Sequence, residues 1–70
     1  MTSRADAISR MGRDELAGAW WAHVHRGTDD REARVAIALR ARALGMTQRD
    51  LAAEAHAGGL ISDAELAGYR

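Results

Sequence analysis

Seventy residues make one small domain, and a chain of this length buries only about 60% of the surface that its unfolded form exposes. Ten arginines, with no lysine, balance ten carboxylates, so the net charge is zero, and that balance counts against a dedicated DNA-binding domain, which is usually strongly basic. With no cysteine, disulfides and Cys-based zinc sites are excluded.

The composition points to an all-α chain. There is no proline, and sixteen residues are alanine, the best helix former. The expected fold is a compact bundle of four to five short helices, divided by Gly12, Gly27, Gly45 and the Gly58–Gly59 pair. Thr2 or Ser3 can cap a first short helix that ends near Met11. A second helix is expected over about residues 13–26, with Asp14 and Glu15 favourable in its first turn. Gly12 alone separates it from the first, so the two could also be continuous. Thr28 is the expected cap of the longest helix, about residues 29–44. Gly45 ends that helix.

The next two boundaries carry fuller signals. Thr47 with Asp50 resembles a capping box, and Met46 with Leu51 its hydrophobic staple; this starts a helix over about residues 48–57. Ser62 with Glu65 is a complete box with Ile61 and Leu66 as staple, starting a last helix over about residues 63–69.

Side-chain periodicity then assigns faces. Leu16, Trp20 and Val24 recur at i, i+4 and i+8, and Trp21 widens that stripe. Large aromatics belong in a small core, yet Trp is also enriched at interface hot spots. Adjacent residues on a helix lie about 100° apart. One of Trp20 and Trp21 is therefore expected partly exposed, and both are candidate protein-interface residues. In the long helix, Val35, Leu39 and Ala43 form one apolar stripe, and Ala33, Ile37 and Leu44 another. Together they predict the central, most buried helix.

The remaining arc holds Arg31, Arg34 and Arg42 with Ala38 and Ala41 between them. From Ala33 to Arg49 there are four arginines and no acid. This arc reads either as a solvated face, with Asp30 pairing Arg34, or as a contact surface for phosphate or an acidic partner. Arg40 points between the two stripes and should snorkel or find a carboxylate.

Little in the sequence suggests chemistry. His23 and His25 would share a face on a strand, but on a helix they diverge by about 200°. No HExxH motif, cysteine cluster or phosphate-cradling glycine loop is present. His25 is expected to act as a favourable partner of its helix C-terminus. Ser3 and Ser62 are explained as caps. No enzyme activity, metal, cofactor or small-molecule substrate is expected. Residues 1–10 carry charge throughout and lack the apolar centre of a signal peptide, and no apolar run approaches the ~20 residues of a membrane span. The expected location is the cytoplasm.

Residues 38–55 resemble the front half of a Cro/repressor-type (XRE) helix-turn-helix domain, in Gly45, Met46, Thr47, Gln48, Leu51 and Ala52. The resemblance implies a helix-turn-helix-like corner. It also implies that Gln48 contacts the DNA backbone and that Ala52 lets the two motif helices cross closely. The second half departs from the family: His56 stands at the turn glycine, Ser62 at an expected apolar position, and Ala41 where Arg is frequent. Asp63 and Glu65 in the last helix would face phosphates unfavourably. Separately, residues 59–66 are similar to the core of short C-terminal domains of many bacterial proteins, which are small helical interaction elements.

The sequence thus predicts a small non-enzymatic regulatory binding protein with a macromolecular partner. That partner is DNA, through Arg31, Arg34, Arg42, Gln48 and Arg49, or protein, through a Trp/Arg helix surface, as an adaptor, an inhibitor or a subunit of a larger assembly. A core this small, without staples, also suggests a homodimer.

Overall fold

A computed structural model describes residues 3–69 of the chain. Among these residues the fold is all helical: α1 (Arg4–Ile8), α2 (Arg13–Trp20) running on into a π-helical turn (Trp21–His25), α3 (Arg31–Ala43), α4 (Gln48–Ala57) and α5 (Asp63–Ala67). No helix among them is long and apolar enough to cross a membrane.

Local chemistry sets most boundaries at the expected places. The Ser3 hydroxyl accepts the Asp6 N–H and starts α1, while the alternative cap Thr2 lies outside the described residues. Gly12 takes an extended conformation, so α1 and α2 are separate helices. Both capping boxes close reciprocally. Thr47 N–H donates to Asp50 Oδ2 at 2.8 Å and Asp50 N–H to Thr47 Oγ1 at 3.2 Å; Ser62 and Glu65 repeat the pattern at 3.0 and 3.2 Å. Gly45 sits at φ +69°, where Met46 N–H bonds back to Ala41 O and Gly45 N–H to Arg42 O. This pair of bonds, a Schellman end, needs a left-handed residue at that point. Gly59 does the same for α4 at φ +77°.

One cap differs from expectation. Asp30, not Thr28, starts α3: its Oδ1 accepts the Ala33 N–H at 3.0 Å, and its carboxylate also pairs with Arg4. The Thr28 hydroxyl turns back to His23 instead. Asp30 is therefore engaged by a cap and by α1, so the anticipated Asp30–Arg34 pair does not form.

The core contains Ile8, Leu16, Trp20, Ile37, Met46, Leu51 and Ile61, with small alanines between them. Its centre is α2, which packs on both α3 and α4. Leu16 is fully buried and Trp20 only 2% exposed. The expectation that α3 is the most buried helix is thus corrected. Only α1, α2 and the π-turn pack substantially on it. They cover the stripe that contains Ala33 and Ile37. The other stripe faces outward: Val35 is 50% and Leu39 63% exposed, and Ala43 is exposed as well. Ala41, placed on the outer arc by its spacing, is buried.

α1 lies alongside α3 and runs the same way. The Arg4–Asp30 ion pair ties the two starts together, and at the far end Arg40 Nε donates to Met11 O at 2.9 Å. Arg40 thus satisfies a carbonyl beyond the end of α1 rather than a carboxylate.

Candidate functional site

The outward face of α3 leaves two large aliphatic side chains, Val35 and Leu39, uncovered. Val35 and Leu39 stand one helical turn apart, and α1 walls one side through Ala5, Asp6 and Ser9. Between them runs an open groove of about 690 Å³, floored by Ala36, a residue too small to fill it.

Its margins are charged. Arg31, Arg34 and Arg42 are exposed, and none has a carboxylate within ion-pair distance among the described residues. Other carboxylates are engaged elsewhere: Asp30 with Arg4, Glu54 with Arg13, Glu65 with His25 and Asp63 with His56. On the α1 side Asp6 and Glu32 line the groove, also without an ion pair among the described residues. The surface is therefore an aliphatic stripe with Arg31, Arg34 and Arg42 along one margin and Asp6 and Glu32 on the other, where Arg40, tied to Met11 O, also lines the groove.

The structure gathers some of the sequence candidates and separates others. Arg31 and Arg34 line a shared depression beside Val35. Arg34 also meets Gln48, at the start of α4, across a cleft of about 260 Å³ that reaches Trp20. Arg42 lies on the same helix near its C-terminus. Arg49 stands apart, in a depression with Asp63 and Tyr69 of the α5 region. Trp20 lies inside the core and presents no exposed surface to a partner in this conformation. Trp21 is half-buried with the Arg26 guanidinium 5.2 Å from its ring centre, which matches the expectation of one buried and one partly exposed indole.

α3 and α4 meet in a corner at Gly45, with Ala52 fully buried and Gln48 exposed. The helix that follows, α5, has only five residues, and the Asp63 side chain in its first turn is 97% exposed.

A polar cluster holds α5 in place. His25 Nδ1 lies 2.5 Å from the Tyr69 hydroxyl, and Nε2 lies 2.5 Å from Glu65 Oε2. The Tyr69 ring meets Trp20 edge-on at 5.1 Å, and the His25 ring is 5.5 Å from Trp20. Trp20 and His25 are five residues apart, a separation that the π-turn brings into register. The Ser62 N–H, followed by His25, lowers the Glu65 pKa; the Thr47 backbone and then its hydroxyl lower that of Asp50. His25 lies in the last turn of its helix, as its position in the sequence suggests, and it is also a bridge to residues 40 and 44 positions away, with both ring nitrogens occupied.

The residues that sequence reasoning missed are Val35, Leu39 and Asp6. An i, i+4 aliphatic pair looks the same whether a neighbouring helix covers it or not. Comparison with protein-family models, curated proteins and solved structures returned no match.

Proposed function

We propose that this chain is a small non-enzymatic regulatory binding protein, and that its partner is a protein docked on the outer face of α3. The observation that carries this reading is the exposure of Val35 and Leu39 beside three arginines that have no carboxylate partner among the described residues. Interface centres combine apolar side chains with arginine. Nucleic-acid surfaces are dominated by phosphate contacts, to which an aliphatic stripe adds little.

The helix-turn-helix reading, with DNA as partner, rests on the α3–α4 corner, where Gln48 is exposed near Arg34. Against it stand the short α5 and its exposed Asp63, which would repel the phosphates that a recognition helix must approach.

Affinity capture from the source lysate after nuclease treatment tests the choice, with a V35E/L39E double variant as comparison. The expected result is a protein retained by the wild type and lost by the variant. Capture that disappears with nuclease overturns the reading. So does a gel shift of random duplex at low salt and micromolar protein, because phosphate attraction acts without regard to sequence.

A further inference from the structure

We infer that the α3 face is covered by a second copy of this chain, related by a two-fold axis parallel to α3. The inference rests on the reading that a protein docks on this face, and it names that protein.

The two flanks of the stripe differ in charge. At about 100° per residue, Arg31 falls about 40° to one side of Val35, and Glu32 about 60° to the other. Asp6 of α1 joins Glu32 on the groove side. The first turn of α3 thus presents a cation on one flank and two carboxylates on the opposite flank. An isologous contact brings the same patch of both copies together. A two-fold axis along α3 exchanges the flanks. Arg31 of each copy then meets Glu32 and Asp6 of the other, twice by symmetry, while Val35 meets Val35 and Leu39 meets Leu39.

A two-fold axis perpendicular to α3 keeps the flanks and reverses the helix. It sets Arg31 against Arg42 of the second copy, since Arg42 lies about 20° from Val35 on the same side. Like charges placed together in an interface are costly. The parallel axis also brings Arg42 beside Arg42 of the second copy, but this one like-charge pair stands against two opposite-charge contacts at the first turn, whereas the perpendicular axis makes two like-charge pairs; charge favours the parallel arrangement.

The core supplies an independent reason for association. Among the described residues only seven buried side chains are larger than alanine, and the chain has no cysteine for a disulfide. Small domains of this kind gain stability by burying further apolar surface in an oligomer. The contact spans α3, roughly 18 Å at 1.5 Å per residue. That is short for an interface, so the dimer exchanges reversibly.

Sedimentation equilibrium over a wide concentration range tests this directly. Wild type is expected to shift from monomer to dimer as concentration rises. R31E and E32R should each weaken dimerisation by at least about tenfold, because each sets like charges together. Mixing the two variants should restore association as a heterodimer. L39E should remain monomeric with unchanged helix content, since Leu39 carries little of the monomer's packing. A wild type that stays monomeric at several hundred micromolar overturns the inference. So does an R31E variant that associates more tightly, the signature of the perpendicular axis. A monomeric chain that still binds a different protein through Leu39 overturns the second copy and leaves the proposed function standing. A dimer that L39E does not disturb overturns both.

Discussion

Ile37 and Leu39 sit two residues apart on α3, yet the structure gives them opposite environments. Ile37 is 2% exposed in the core, and Leu39 is 63% exposed. Truncating a buried Ile to Ala costs about 2–5 kcal/mol, from lost transfer energy and the cavity left behind. A chain of this size has a total stability of only roughly 4–10 kcal/mol, at about 0.05–0.15 kcal/mol per residue. Ile37→Ala should therefore remove about a fifth or more of the folding free energy. Leu39→Ala removes little buried surface in the monomer and should cost less than about 0.5 kcal/mol. Urea denaturation followed by circular dichroism reads both. It must be run at the lowest workable protein concentration, because self-association would add a concentration-dependent term. Equal losses in the two variants, or a larger loss in Leu39→Ala, would mean that α3 is rotated and the docking face is part of the core.

The helix ends and their carboxylates give three further expected outcomes. Thr47→Ala and Ser62→Ala should each cost about 1 kcal/mol, because each leaves the N3 amide of its helix without its cap; unchanged midpoints in both would contradict the capping geometry. Gly45→Ala should cost about 1–2 kcal/mol, from forcing a side chain into the left-handed region, although the space around it is open; a neutral change would show that the α3–α4 corner is built differently. Asp50 and Glu65 have pKa values below their ordinary 3.8 and 4.5. Their contribution is fully present above those ordinary values and is lost as pH falls through the lower folded ones. Acid titration should show stability falling below about pH 4.5, and Asp50→Asn should flatten part of that fall. An identical acid limb in the variant would remove Asp50 from the account.

Much of the fold was legible because the helix ends are written locally. Thr47, Asp50, Ser62, Glu65, Gly45 and Gly59 each act within one turn of the chain. A capping box needs no knowledge of tertiary structure. Asp30 and Thr28 compete at a single boundary, and Asp30, the cap that forms, is also paired with Arg4 from α1, a contact that local sequence does not reveal. The orientation of α3 was not legible for the same reason. Both of its stripes are aliphatic at helical spacing, and only the number of helices packed on it decides which is buried. The His25–Tyr69–Glu65 cluster joins residues too far apart for any spacing rule. The arginines of the docking face are visible in the sequence. So is the aliphatic stripe they flank, but its spacing suits a core face equally well.

The most direct measurement is a photo-crosslinking amino acid placed in turn at Leu39, Gln48 and Ala64 in the source cell, with adducts sorted into protein and nucleic acid. A docking face on α3 predicts protein adducts at Leu39 and few at Ala64, which is exposed on α5. Nucleic-acid adducts at Gln48 with none of protein at Leu39 would contradict it.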